Sequence, residues 1–249
     1  MVSKHIYAER LYLDDSSIDQ KEKQAHIERY LLACRHLRVN FIVLDAACGS
    51  GYGTKMIGEK TSKVVGIDSS PEAIQYAQKN YNKENAIYAV VDLNNPLPFS
   101  NNSFDSVVCF ETIEHLTNQQ ALLKEFNRIL KPGGLLFISC PEADISKKAR
   151  IKNPYHQKEL SKKEFLQMVS NYFVIIDIFG QLKFIKLSLF KRSIKKIFSI
   201  MGPTVKKLIK KILKKQSDNF SNICFDRIEK IKESDPASHF VTIIFSKKP

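Results

Sequence analysis

The stretch FIVLDAACGSGYG, residues 41–53, decides the fold. Residues 41–48 form a near-continuous apolar run, the pattern of a strand buried on both faces of a parallel sheet. The glycines at 49, 51 and 53 then turn the chain sharply into a helix expected near 52–60. Working downstream, KVVGID (63–68) reads as the next strand. Ser70, Pro71 and Glu72 supply a cap, a first-turn proline and a first-turn acid for a helix over 71–80. AIYAVVDL (86–93) and SFDSVVCFE (103–111) follow as strands, Asn118 to Leu130 as an amphipathic helix, residues 131–134 (KPGG) as its stop and LLFISC (135–140) as a fifth strand.

Upstream, a polar segment carries one helical pattern from about Lys21 to Cys34. Beyond the fifth strand, Ser161 and Glu164 form a capping box that opens a helix to about Ser170. Two further β-rich runs, YFVIIDIFG (172–180) and HFVTIIF (239–245), complete the sheet if they pair as its antiparallel end. Strand and helix alternate, which implies right-handed crossovers, helices on both faces, and ligands at the carboxyl ends of the strands.

A chain of 249 residues, 43% hydrophobic and 26% charged, can bury a full core, so disorder is excluded as a class. No apolar run reaches the ~18 residues of a membrane span, and the beginning lacks the apolar core of a secretory signal, so a cytoplasmic protein is expected. Five cysteines without a CxxC pair read as reduced and mostly structural, and no metal site is expected. The formal charge of +13 is local: residues 182–215 hold twelve Lys or Arg and no acid, and the remaining 27 basic residues face 26 acidic ones.

The chemistry centres on the bend. Backbone N–H groups at the start of a helix are available donors, and Gly49 and Gly51 allow close approach of a ligand. Asp68 ends the second strand, where its carboxylate can accept from both hydroxyls of a ribose, and Asp92 ends the third, within reach of an adenine edge. The spacing is GxGxG, neither the dinucleotide GxGxxG nor a phosphate loop with GK[ST], so a nucleoside without a diphosphate fits best.

These residues resemble the class I S-adenosylmethionine-dependent methyltransferases, through VLDAACGSGYG (43–53), VVGIDSSPEAI (64–74), VVDLNNPLPFSNNSFDSVVCFETIEHL (90–116) and FNRILKPGGLLFISCPE (126–142). Within that family the chain looks most like bacterial enzymes encoded with glycosyltransferases and acting on sugars of surface glycans. That likeness rests on Glu9-Arg10, on His26, Arg29 and Tyr30, and on Asn153-Pro154-Tyr155-His156 leading to Glu159-Leu160-Ser161. The resemblance implies a Rossmann-like, seven-stranded, mostly parallel α/β sheet with a final antiparallel strand. It implies one domain over 1–249: a helical lid over 1–40, a cofactor core over 41–181, a basic insertion over 182–238 and the last strand over 239–249.

The implied cofactor is S-adenosylmethionine, leaving as S-adenosylhomocysteine. Asp45 would hold the loop and the methionine amino group, with Ala47, Cys48, Gly49 and Gly51 around the methionine portion. Asp68 with Ser69 would bind ribose, Asp92 and Leu93 would flank adenine, and Phe110 and Glu111 would line the sulfur.

Methyl transfer from a sulfonium is a direct displacement, so aligning acceptor, methyl and sulfur is most of the catalysis. A sugar hydroxyl must also lose its proton, and His115 is the first candidate base, with His156 the second. Either would equally suit an ordinary turn or loop. Arg29, Tyr30, Glu142 and Tyr155 are candidates for the acceptor side.

Within the basic segment, Phe190, Ile194, Ile197, Phe198 and Met201 recur at helical spacing, and Val205, Leu208, Ile209, Ile212 and Leu213 repeat the pattern beside lysine pairs. Such cationic amphipathic helices suit an anionic membrane surface, which would make the protein peripheral on the inner face of the membrane. Packing on the enzyme's own core, or binding to nucleic acid, would leave the same pattern. An RNA or small-molecule methyltransferase, or a silent cofactor-binding recruitment module, are the alternative functions.

Overall fold

The computed structural model describes residues 10–143, 153–181, 228–230 and 240–247. The basic segment 182–215, with the helices expected there, lies outside the described residues, as do Glu9 and Cys224.

The described chain begins with α1 (Gln20–Cys34), then alternates β1 (Ile42–Ala46), α2 (Tyr52–Gly58), β2 (Lys63–Asp68), α3 (Pro71–Asn80), β3 (Ala86–Val90) and β4 (Phe104–Phe110). A single 3-10 turn (Ile113–His115), α4 (Gln119–Ile129) and β5 (Leu130–Pro141) follow. The last elements are α5 (Lys162–Ser170), β6 (Phe173–Gln181), β7 (Ile228–Lys230) and β8 (Phe240–Lys247).

The strand order is β3-β2-β1-β4-β5-β8-β6-β7. Strands β1 to β5 pair in parallel, whereas β8 runs antiparallel between β5 and β6. The seven expected strands are therefore present, and β7 is an addition. It is only three residues long and pairs with the outer edge of β6, so residues 228–230, expected within the insertion, join the sheet. A three-residue strand is too short for periodicity to reveal.

Alternate residues of each central strand face opposite layers. Val43, Val108 and Phe137 pack on one side of the sheet with Tyr30, Tyr52 and Ile57. Leu44, Val107, Leu136 and Ile138 pack on the other with Phe126, Ile129 and Phe165. This two-sided burial is why residues 41–48 are apolar without alternation.

The expected caps form. Ser70 Oγ accepts from the Ala73 N–H with Pro71 in the first turn, and Ser161 with Glu164 makes both bonds of its capping box. The KPGG stretch behaves differently from its reading as a bare helix stop. β5 already begins at Leu130, opposite Phe104, and the pairing then shifts so that Ser106 faces Leu135. Gly133, at φ 73°, accommodates that irregularity.

The chain runs from β1 outward to β2 and β3, then returns to β4 on the other flank of β1. The crevice at the carboxyl ends of β1 and β4 is the topological switch point, where open α/β sheets bind ligands.

Candidate active site

The bend after β1 is held in a shape that ordinary residues resist. Ala47 (φ 64°), Gly49 (φ 53°) and Gly51 (φ 89°) are all left-handed. For Ala47 this costs on the order of 1 kcal/mol, and such strain concentrates at ligand sites. The Cys48 N–H donates to Ile67 O at 2.8 Å and the Gly49 N–H to Asp68 Oδ2 at 2.9 Å, so β2 pins the loop directly.

The glycines differ in purpose. A Cβ on Gly49 would meet nothing within 4 Å, which leaves open space above the loop. On Gly51 a Cβ would stand 2.5 Å from Ala77 Cβ, and on Gly53 2.0 Å from the Tyr30 ring. Gly53 is thus required by packing of α1 on α2, and Gly51 by packing against α3 as well as by its backbone angle.

Asp45 lies beneath the loop, buried, accepting from Thr54 Oγ1 at 2.6 Å and Tyr30 Oη at 3.1 Å. Burial pushes its carboxyl up to about 7, although both hydroxyl donors favour the charged form. Asp68 is engaged on both oxygens. Oδ2 accepts from Gly49; Oδ1 accepts from the Ser70 N–H at 2.9 Å and from Arg10 Nε at 3.0 Å. Arg10 Nη2 also reaches Ser69 Oγ at 3.3 Å. Arg10, read from sequence only as part of a soft motif, thus stands at the expected ribose carboxylate. Ser50 Oγ donates to Leu11 O and Tyr76 Oη to Asp14, so residues 10–14 lie across the loop.

The Asp92 carboxylate is exposed and caps its own turn, accepting from the Asn94 N–H at 2.9 Å and from Asn95 Nδ2 at 3.2 Å. Buried Leu93 continues that turn. Arg128, clamped to Glu125, donates to Leu97 O and Phe99 O and so fixes the following loop.

Phe110, buried at the end of β4, meets the Tyr30 ring edge-on at 5.1 Å. Glu111 is left-handed (φ 49°), with Oε1 accepting from Ser139 Oγ at 2.7 Å and Oε2 3.8 Å from Arg29 Nη2. The Cys48 thiol is buried and pushed well above its usual range by desolvation, so it is no nucleophile.

Three residues expected on the acceptor side sit elsewhere. Arg29 and Tyr30 are buried beneath the loop, because α1 packs into the core instead of lying over the mouth as a lid. Glu142 is buried and caps α5: both of its oxygens accept from the Lys162 N–H, at 3.0 and 2.9 Å. A carboxylate at a helix N-terminus is favoured by the dipole, and that task commits its oxygens.

His115 and His156, 41 residues apart, are brought together, with ring centroids 4.8 Å apart and planes nearly perpendicular. His115 Nδ1 is 3.1 Å from Tyr155 O, and a carbonyl only accepts, so Nδ1 carries the proton and Nε2 the lone pair. His156 Nδ1 faces Glu159 Oε1 at 2.5 Å, while its Nε2 accepts from Asn153 Nδ2 at 3.0 Å. Tyr155 contributes through its backbone; its side chain is exposed.

Between the rings lies Glu114, which the sequence reading passed over. Its Oε1 is 3.9 Å from both Nε2 atoms, and its Oε2, buried, has no hydrogen-bond partner among the described residues. Burial, and then the Glu111 carboxylate, push Glu114 well above the usual carboxylate range. Its adjacency to His115 in ETIEHL was the available signal; for Glu159 the signal was the i, i+3 spacing to His156.

Residues 44–138 match the family model described as a methyltransferase domain. A probable S-adenosylmethionine-dependent methyltransferase of Mycolicibacterium smegmatis is 31% identical over 129 residues, 51% of this chain and 49% of the relative. The mitochondrial ubiquinone biosynthesis O-methyltransferase of Rattus norvegicus is 35% identical over 102 residues, covering 39% of this chain and 30% of that protein. The chain spans about half the length, or less, of these curated relatives.

Among solved structures, the YcgJ protein of Bacillus subtilis superposes with TM-score 0.62 at 19% identity, covering 90% of this chain and all of that one. The N-methyltransferase NodS of Bradyrhizobium japonicum, solved with S-adenosyl-L-homocysteine, gives TM-score 0.59 at 13% identity, covering 94% and 90%. Residues 44–138 are therefore similar to a methyltransferase domain, the fold is the Rossmann-like one of such enzymes, and the relatives matched by sequence include probable S-adenosylmethionine-dependent methyltransferases.

The residues present fit that group. Open space over Gly49, a carboxylate at the tip of β2 and a GxGxG loop suit an adenosyl compound without a diphosphate. Among the described residues, no helix is long and apolar enough to cross a membrane.

Proposed function

We propose that this chain is an S-adenosylmethionine-dependent O-methyltransferase acting on a sugar hydroxyl of a surface or lipid-linked glycan. The observation that carries the methyltransferase reading is the open space over left-handed Gly49 beside the Asp68 carboxylate, inside the segment that matches the domain family. Bound in that cleft, the cofactor supplies a methyl group already activated on a sulfonium.

The chain's own residues orient and shield. Asp68 accepts from ribose hydroxyls, sharing its carboxylate with Arg10 or releasing it. Backbone around Asp92 and Leu93 meets the adenine edge, while Phe110 and the Glu111 backbone wall the sulfur side and exclude water. His115 and His156 stand on the acceptor side, and His115, or His156 in its place, draws the proton from the attacking hydroxyl. The sugar acceptor is supported by the sequence likeness in Asn153-Pro154-Tyr155-His156 and by those imidazoles gathered at the cleft.

A docking partner follows from the charge. The twelve basic residues of 182–215, with apolar residues recurring between them in the sequence at helical spacing, support attachment to anionic lipid, where a lipid-linked acceptor would reside. Co-sedimentation with anionic but not neutral vesicles is expected; an RNA mobility shift without vesicle binding would reject it.

The test of function is formation of S-adenosylhomocysteine with candidate glycans, joined to mass spectrometry of surface glycan with and without the gene. Loss of the mass of one methylene per site is expected in the deletant. Turnover on quinol or catechol acceptors alone would favour a small-molecule enzyme, the reading suggested by the ubiquinone O-methyltransferase relatives.

A further inference from the structure

We propose that Glu114, His115 and His156 hold a divalent first-row metal cation, Zn2+ or Mn2+, at the acceptor side of the cleft. The potential ligand atoms of these three residues lie within 4.8 Å of one another, and each Nε2 is 3.9 Å from Glu114 Oε1. In a tetrahedral site with bonds of about 2.0–2.1 Å, ligand atoms are roughly 3.4 Å apart, so closing on an ion needs a contraction of about half an ångström from the carboxylate to each imidazole and of at most about 1.4 Å between any pair. Side-chain torsions can supply that.

Three independent features point at an ion. First, both imidazoles are oriented as metal ligands are: each Nδ1 faces an oxygen acceptor, Tyr155 O for one and Glu159 for the other, which directs the lone pair to Nε2. A histidine backed by a carboxylate is the usual outer shell of a metal site. Second, the Glu114 carboxylate is 2% exposed with Oε2 lacking any hydrogen-bond partner among the described residues. A buried carboxyl left in that state costs about 1–3 kcal/mol, which a cation would reverse. Third, two imidazoles and one carboxylate form a mixed nitrogen and oxygen set that suits first-row ions and leaves positions open for a substrate oxygen.

One contact must yield. The amide of Asn153 donates to His156 Nε2 at 3.0 Å, and the ion takes its place, freeing that amide to meet the acceptor. The binding site stands on these three side chains alone; its use rests on the methyl-transfer reading above. There it makes an acceptor hydroxyl more acidic. With the ion bound, both Nε2 lone pairs ligate it, so this route replaces the histidine-base step: the acceptor O–H bond breaks with its proton passing to solvent, and the C–O bond forms as C–S breaks with its electron pair going to sulfur.

The test begins with the full chain stripped by chelator, dialysed against Zn2+ or Mn2+, and assayed for metal per chain by elemental mass spectrometry. One equivalent is expected in the wild type and less than a tenth of that in both E114Q and H156Q, with thermal melting used to check that each variant is folded. Should E114Q fail to fold, H115Q and H156Q carry the comparison. Substitution with Co2+ gives visible ligand-field bands in the wild type that vanish in the variants. Absence of bound metal in the wild type, or full occupancy in the folded variants, overturns the site. Calorimetry of S-adenosylmethionine on the same samples separates the two readings: donor binding without metal sinks only the site, and metal without donor binding sinks only the methyltransferase.

Discussion

The two halves of the cleft that we assign to donor and acceptor are built in opposite ways. On the donor side, Gly49 and Asp68 are joined by a single hydrogen bond between the tips of adjacent parallel strands, so the β1–β2 register brings them together. On the acceptor side, His115 follows β4 while His156 and Glu159 belong to the stretch before α5, and side-chain and backbone contacts hold them together. A sheet-borne site tolerates change around it; a loop-borne one depends on each supporting contact.

The sharpest break of that contrast is Asp68→Ala. Losing two hydrogen bonds to a charged acceptor, each worth about 1.5–3 kcal/mol, should weaken S-adenosylmethionine binding by about 10³-fold in calorimetry. Retained affinity would refute the ribose role.

Next is the buried Asp45. Its folded value of about 7 lies above the ordinary 3.8, so the folded state holds this proton more tightly than the unfolded chain does. Its contribution is therefore complete below about pH 4 and is lost as pH rises to about 7, up to about 4 kcal/mol in all. The pH dependence of urea unfolding should flatten in Asp45→Asn over that window; identical slopes would show that Asp45 does not titrate there.

Gly53→Ala drives a methyl into the Tyr30 ring and should cost about 3 kcal/mol of stability, seen as a lowered melting temperature. Glu159→Gln removes the carboxylate behind His156 and should lower turnover about 10-fold while leaving donor affinity unchanged. A matching fall in donor affinity would mean that the two halves are coupled. The smallest stability effect is expected for Gly49→Ala, about 1 kcal/mol from its left-handed backbone alone, yet its new methyl occupies the ligand's space, so donor binding should fall where stability barely does.

Legibility in the sequence follows the same division. The strand at 63–68 and the helix at 71–80 form where expected because their signals are local: apolar runs and the Ser70-Pro71 cap. The roles of Arg29, Tyr30 and Glu142 were misplaced because burial and capping partners are chosen by packing. Arg29 and Tyr30 are drawn beneath the loop by α1, and Glu142 is taken by the helix 20 residues ahead. Glu114 went unread because only a ring arriving from His156 makes its position meaningful.

By itself, then, the chain's order of apolar runs, caps and glycines determined a mostly parallel α/β sheet with a glycine-rich bend after its first strand, since those signals act over a few residues. Only tertiary structure decided which glycine faces open space, that Arg10 lies on Asp68, and that two histidines 41 residues apart converge on a buried carboxylate. Such juxtapositions are set by how helices and loops pack on the sheet, and that depends on the whole core at once.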